Sequence, residues 1–368
     1  MTHDALIIGG GLAGSTLAAR LACAGRTVLL LEKTAGAHDK LCGDFLSHEA
    51  LHYLARSGVD AAALGGVPVT SVRIARRDIL SEIPLPFNAL SLRRRILDEA
   101  LLEQAVIAGA SIRRGIRVQS ISRRGPHHVA RLDAERNTVS SSSIFLATGK
   151  HDLQGQPRRG GWQNNLVAFK MYFRLSASQQ QALEQQIELI LFPGGYAGLQ
   201  PVDAGLANLC LLVTRQQLHR CGSSWPWLLE HICQHSPHLA GRLCAATPML
   251  DRPLALSSIP YGFLAPAPVP NLWLLGDQCA VIPSFSGDGM SIALHSAYLA
   301  AAMFLNNDSS FAFAERMSQD LRPGIALATT ISHLLIGLPA AVNLTRWSPS
   351  LLRHIASATR IPNRCLLH

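Results

Sequence analysis

The sequence predicts an α/β fold: a parallel-sheet nucleotide domain built from several pieces, β-rich segments inserted between them, and helices at the C-terminus. Three observations predict it. Residues 5–33 read as strand, glycine turn, helix, strand and acid. Two further apolar runs, 143–149 and 271–276, end in glycine and have the length of buried parallel strands. Between them, residues 165–215 alternate apolar and polar residues in places, which suits an antiparallel sheet lined on one face.

The first stretch carries most of the argument. Residues 5–8 are a short apolar run, followed by Gly9, Gly11 and Gly14 in the spacing Gly-x-Gly-x-x-Gly. A small-residue helix over 15–24 stops at Gly25, and a second apolar run, 27–31, delivers Glu32 18 residues past Gly14. Each part has a job in holding a dinucleotide. Gly9 allows a tight turn, Gly11 lets a pyrophosphate reach the backbone, and Gly14 lets helix and strand pack closely. Leu12 and Ala13 lie where the helix start offers free N–H groups and partial positive charge. Glu32, with Lys33 beside it, can accept hydrogen bonds from ribose hydroxyls and would repel a 2′-phosphate, which argues against NADP as the resident nucleotide. This stretch alone leaves NAD and FAD open.

Composition sets the limits. At 368 residues, with 48% apolar and 15% charged residues, the chain is globular and long enough for two domains. The net charge of +9 gathers in Arg93-Arg94-Arg95, Arg113-Arg114, Arg123-Arg124 and Arg158-Arg159. No aromatic residues interleave with them, so nucleic acid is not the expected partner. An anionic cosubstrate such as NAD(P)H, an acidic substrate or anionic lipid fits better. The first residues show neither a basic leader nor a cleavage site, so a cytoplasmic protein is expected. The eight cysteines form no C-x-x-C pair and are read as free thiols. His219, Cys221, His231, Cys233, His235, His238 and Cys244 lack zinc-ligand spacing, and no metal is expected.

Along the chain, helices are predicted over 47–56 and 94–109, the latter with Leu97, Leu101, Leu102 and Ala105 on one face. Residues 67–90 read as strands, 111–121 as one strand-like run containing Val118, and 123–140 as a small β-excursion. Residues 178–185 are a turn or a short helix, 224–246 are helical, 254–263 return as strand, and 291–305 form a long helix. The pattern is helical from 310 onward. The nucleotide domain is thus expected in residues 1–65, 92–158 and 270–308, a substrate domain in 66–91 and 159–269, and a helical segment in 309–368. Residues 325–343 carry no formal charge and approach membrane-spanning length, but Pro339, His333 and Asn343 dilute them. A buried helix, followed by an amphipathic one punctuated by Arg346, Arg353 and Arg360, is expected. A peripheral membrane contact is the second reading.

Residues 272–301 decide between the nucleotides. Asp277, after Gly276, stands at a strand end where it can accept hydrogen bonds from a polyol chain. Past Pro283, the Gly287-Asp288-Gly289-Met290 loop exposes backbone N–H groups at a helix start, suited to a ring edge that becomes anionic on reduction. A ribityl chain and an isoalloxazine fit this pair, and NAD has neither.

Together these stretches resemble the FAD-dependent monooxygenase superfamily, which includes aromatic hydroxylases, geranylgeranyl reductases and flavin-dependent halogenases. The resemblance spans nearly the whole chain and is nearest the geranylgeranyl reductase-like branch. Lys40-x-Cys42-Gly43 is similar to that branch's loop beside the flavin, and Arg94-x-x-Leu97-Asp98 to its helix whose arginine reaches the FAD. Ala147-Thr148-Gly149 matches its turn near the pyrophosphate, and residues 193–201, PGGYAGLQP, match its cavity-lining strand. Where that strand usually carries Trp and Phe, this chain has Gly198 and Gln200, giving a smaller and more polar wall. Trp225-Pro226-Trp227 is similar to a halogenase motif but opens a helix instead of lining that strand, so halogenation is the lesser expectation.

The resemblance implies a discontinuous, GR2-type, Rossmann-like FAD domain with an inserted antiparallel substrate domain. It implies FAD as cofactor. NAD(P)H would be a transient donor, because no second nucleotide fingerprint follows Gly14; an external reductase is the other source. The implied reaction is hydroxylation of an electron-rich, lipophilic small molecule with O₂ through a flavin C4a-hydroperoxide. The alternatives are C=C reduction of a lipid or polyketide-like substrate, and a flavoprotein that matures a protein partner. Cys42, Tyr196, Phe285 and Asp288 are the candidates for shaping the chemistry; for Asp288 a cofactor-side or helix-capping role is expected.

Overall fold

The computed structural model describes residues 3–337 and 349–367, apart from 78, 126, 134–136, 159, 204, 267 and 268. Arg159, Pro339, Asn343 and Arg346 therefore lie outside the described residues, as do the side chains at 351 and 352 of the C-terminal amphipathic stretch.

The apolar runs become a five-stranded parallel sheet in the order Leu272–Leu274, Ile144–Leu146, Ala5–Ile8, Val28–Glu32, Ser111–Arg114. Strand alternation explains why these runs are apolar throughout. Ala5 and Ile7 face one way, into a core with Leu17 and Leu21 of helix Leu12–Cys23, Leu101 of helix Arg94–Ile107 and Ala297 of helix Gly289–Leu305. Leu6 and Ile8 face the other way, onto Val118, Ala130 and Leu132 of a three-stranded antiparallel sheet. Both faces of the central strands are covered, so they are apolar; Glu32 closes its strand at the loop end, and the edge strand Ser111–Arg114 is part-exposed and polar.

Two glycines bring helix onto strand. A side chain at Gly14 would place its Cβ 1.9 Å from the Gly9 carbonyl oxygen, and Gly9 itself adopts φ +108° against Ala147.

The second sheet has nine strands. Its central run is Leu166–Arg174, Leu206–Thr214, Gly195–Asp203, Gln186–Phe192, Val67–Arg76, Ile79–Ser91. One face, with Phe169, Met171, Leu209 and Leu211, packs under Leu228, Ile232 and Leu239 of helices Trp225–His235 and Pro237–Leu243. The opposite face carries Lys170, Tyr172, Tyr196 and Leu212 toward the first sheet's loops and toward Ile331 and Leu335 of helix Ser310–Gly337.

The structure corrects several expectations. The inserted sheet is mixed, because Gln186–Phe192 pairs parallel with Val67–Arg76. Those strands come from separate insertions, so no hairpin forces an antiparallel junction. The run 111–121 is two strands: Gly115, at φ +72°, sends Ser111–Arg114 to the parallel sheet and Val118–Arg124 to the three-stranded one. The strand expected over 254–263 stops at Ser257, because Ser258 adopts φ +61°, and resumes only at Phe263–Leu264. The long helix begins at Gly289, within the loop itself. Among the described residues no helix is long and apolar enough to cross a membrane, and no three His, Cys, Asp or Glu side chains form a metal-ligating group.

Replacing Gly14 with alanine is expected to cost about 3 kcal/mol, because backbone and not a flexible side chain occupies the space. Thermal unfolding checks this, and the purified variant is expected to lose most of its flavin absorbance.

Candidate active site

The loops at the C-terminal ends of the parallel strands and the inner face of the second sheet enclose a chamber of about 1300 Å³. Its first section is lined by Gly9, Gly11, Leu12, Ala13, Glu32, Lys33, Val118 and the Ala147-Thr148-Gly149 turn. Its middle is lined by Cys42, Gly43, Arg94, Gly276, Asp277, Phe285, Gly287, Gly289 and Met290, and its far wall includes Tyr196 and Gly198. Gly14, Pro283 and Asp288 do not line it. Gly14 is packed under Gly9, and Asp288, 1% exposed, lies behind the loop.

The first section has the charge of an anion cradle. Asp98, one turn along the helix from Arg94, accepts from Arg94 Nε at 2.9 Å and Nη2 at 3.1 Å, and pairs with Lys40 at 2.6 Å. A Cβ on Gly11 would lie 3.4 Å from Lys40 Nζ and 3.5 Å from Arg94 Nη2, so both cations stand over the first turn of the helix. Burial opposes ionisation of Asp98, but Arg94 and then Lys40 outweigh it and hold the carboxyl below its usual range. Two cations on one carboxylate leave a net positive charge where the helix dipole is also positive. A diphosphate fits this donor set.

Glu32 already accepts the N–H groups of Gly10 at 2.7 Å and Thr34 at 2.9 Å, which aim its carboxylate beside the fingerprint. Asp277 pairs with Lys150 at 3.2 Å, so a polyol there would meet an ion pair and not a lone carboxylate.

Behind Cys42 lies a buried polar knot. Asp44 Oδ2 accepts from Lys170 Nζ at 2.7 Å, Tyr172 Oη at 2.8 Å and Asn208 Nδ2 at 3.0 Å. Lys170 and Asn208 also donate to the carbonyls of Lys40 and Cys42. The second sheet thus fixes the shape of the 40–44 loop. Asp44 itself adopts φ +60°.

The far wall is largely apolar and carries a set of hydroxyls beside Gln200 and Cys210. Tyr196 Oη and Ser284 Oγ are 3.2 Å apart, the Tyr261 phenol lies near Ser284, and Phe285 stands edge-on to Tyr196 with centroids 6.0 Å apart. Burial pushes both phenols well above their ordinary range, so they stay neutral. Gln200, expected to make the wall polar, donates to Ser91 Oγ at 2.6 Å. Trp225 packs on Phe169 across the sheet from the chamber, and Trp227 is 63% exposed.

Helix capping by Asp288 is corrected. Its side chain makes no cap hydrogen bond; it faces Arg360 instead. Burial raises its carboxyl to about 7, with Arg360 opposing and Glu49 adding to the rise. Lys150, Lys170 and Tyr261 escaped the sequence reading, and Arg360, expected on the amphipathic helix, lies beyond its end at Ala358 with its side chain 8% exposed. Lys150 follows the glycine turn and could have been found there, whereas nothing near Lys170 or Tyr261 marks them.

Replacing Arg94 with alanine removes one cradle cation and is expected to weaken FAD binding about tenfold to a hundredfold, the worth of a charged hydrogen bond of roughly 1.5–3 kcal/mol. Titration of the apoprotein with FAD, followed by flavin fluorescence, measures it.

Residues 2–144 match the family described as FAD binding domain. Over 361 residues the chain is 24% identical to a menaquinone reductase of Mycolicibacterium smegmatis, spanning 93% of this chain and 86% of that one. The flavin-dependent brominase Bmp2 superposes with a TM-score of 0.81 at 17% identity, covering 98% of this chain and 93% of that chain. Halogenase PltM in complex with phloroglucinol and FAD superposes with a TM-score of 0.76 at 17% identity, covering 90% and 76%. At such identities the structural likeness speaks to fold. The chain has an α/β fold with a Rossmann-like FAD-binding domain.

Proposed function

We propose that the protein is a flavin-dependent monooxygenase that hydroxylates a lipophilic molecule carrying an electron-rich, oxygen-bearing ring. The observation that carries this is the far end of the chamber, where neutral hydroxyls converge on Ser284 amid apolar walls. Val72, Ile74, Ile83, Leu189, Leu212 and Ile331 supply contact for an apolar body. Tyr196 and Tyr261 supply hydrogen bonds for one ring oxygen.

Bound FAD supplies the redox chemistry, and the chain does the rest. Gly9, Gly11, Glu32, Lys40 and Arg94, which line the chamber, would hold the ADP half. Gly287, Gly289 and Met290 would hold the ring edge, and Phe285 and the apolar walls would exclude water. Tyr196, Tyr261 and Cys210, whose thiol burial pushes up to about 12, donate hydrogen bonds far more readily than protons. That suits oxygen transfer to a ring and works against a reduction that must deliver a proton to carbon. Electrons come from a nicotinamide that binds transiently or from an external reductase.

The second reading is C=C reduction of a lipid of the quinone or prenyl kind, as expected from the geranylgeranyl reductase-like resemblance and favoured by the menaquinone reductase relative. Cys42 is then the group that delivers the proton, since its thiol lines the chamber.

Dithionite-reduced holoprotein is mixed with a long-chain alkylphenol in air and, separately, with a prenylated naphthoquinone without oxygen. Hydroxylation adds one oxygen atom to the phenol by mass spectrometry. Two hydrogens that stay in the prenyl chain of the naphthoquinone after its ring is reoxidised in air, lost in Cys42→Ser, and an unchanged phenol would replace this reading with the second. Tyr196→Phe is expected to lower turnover about tenfold, the worth of one hydrogen bond of roughly 1.4 kcal/mol, with FAD binding unchanged.

A further inference from the structure

Residues 360–367 run from the Gly287–Gly289 loop to helix His48–Arg56. Ile361, Cys365 and Leu366 are buried in the core that also holds helices Leu12–Cys23 and Gly289–Leu305. The Leu367 N–H donates to Tyr53 Oη at 3.2 Å, and the Leu367 carbonyl lies 3.0 Å from His52 Nε2. Tyr53 Oη is 2.7 Å from His295 Nδ1, whose other nitrogen is 3.2 Å from Asp320. The tail is thereby fixed to helices His48–Arg56, Gly289–Leu305 and Ser310–Gly337.

This anchoring delivers Arg360, whose side chain is 8% exposed, to the loop. Arg360 Nη1 donates to Asp288 Oδ1 at 2.8 Å and to Glu49 Oε2 at 3.3 Å. Nη2 donates to the Ser286 carbonyl at 3.3 Å, and the guanidinium lies 3.9 Å over the Phe87 ring centre. Ser286 and Asp288 flank Gly287, which adopts φ +76°. One side chain therefore grips the loop on both sides of its left-handed residue. Asp288 Oδ2 is buried with no partner among the described residues, so Arg360 is the cation set against its charge.

We propose that Arg360 is a positioning residue for the flavin: it shapes the Gly287–Gly289 turn and balances Asp288, so that a ring becoming anionic on reduction is tolerated beside it. The proposal rests on the FAD reading of the chamber. An uncompensated carboxylate in this dry site would oppose the added electrons, because charges interact strongly where water is excluded. Glu49 shares the same guanidinium but is also held by Ser47 Oγ at 2.6 Å, so Asp288 depends on Arg360 more heavily.

The test is the midpoint potential of bound FAD, titrated against a reference dye over a pH series and read at its alkaline end, well above the Asp288 value of about 7 because loss of Arg360 raises that value further, together with FAD affinity in both oxidation states. In Arg360→Gln the potential is expected to fall, with reduced FAD losing at least tenfold more affinity than oxidised FAD. Arg360→Lys keeps the charge and is expected to recover the potential. Asp288→Asn raises it, and the double variant Arg360→Gln/Asp288→Asn returns it toward the parent value. An Arg360→Gln protein with the parent's potential overturns the proposal, as does equal weakening of both oxidation states, which would leave Arg360 a purely structural link. If Arg360→Gln does not fold, Asp288→Asn decides: an unchanged or lower potential overturns the proposal. A parent chain that takes up no FAD overturns the reading of the chamber instead, so the two failures are distinguishable.

Discussion

Lys40 and Arg94 share the single carboxylate of Asp98 above the first turn of helix Leu12–Cys23. Much of the site follows from this arrangement. A helix start already concentrates unpaired N–H groups and positive potential, and half-buried cations beside it would repel each other without Asp98 between them. Asp98 keeps both charged and holds them in place. Lys40 belongs to the loop that continues through Cys42 to Asp44, so fixing it also sets where that loop enters the chamber. The Lys170–Asp44 pair then fixes the loop's other end from the second sheet. A single loop is in this way held by an ion pair in each half of the molecule, and the chamber lies where those halves meet.

The two buried ion systems differ in kind. The Asp98 group has an excess of cation and faces the chamber, which is the condition of a binding site. The Asp44 group has no excess cation: its Oδ2 accepts three hydrogen bonds, its Oδ1 is buried without a partner among the described residues, and Lys170 is fully buried. Such a pair gives little net stability but is costly to break on one side, so it specifies geometry more than it adds free energy.

The parallel sheet, the glycine turn and the long helix were readable because their rules are local. A run such as 5–8 is apolar at every position only if covered on both faces, and Gly14 is small because a carbonyl lies where its side chain would be. The knots in the site were not readable. Tyr261, Lys170 and Arg360 meet their partners at 23, 126 and 72 residues' separation, through Ser284, Asp44 and Asp288. No period or spacing encodes such pairs. The parallel junction in the second sheet failed for the same reason, since alternation within a strand carries no information about its neighbour's direction.

That junction has a consequence for how the molecule is made. Val67–Arg76 finds its neighbour Gln186–Phe192 only after the intervening chain, including helix Arg94–Ile107 and strand Ile144–Leu146, has been synthesised. Within the second sheet, Val67–Arg76 and Ile79–Ser91 are both complete in the chain before Gln186–Phe192 exists to cover their edge. Neither sheet can be cut from the sequence as one continuous piece. Assembly is therefore governed by late, long-range pairing and is slow by the measure of contact order. The chamber is among the last parts to form, and a nascent chain has no closed place for its cofactor until both halves have met.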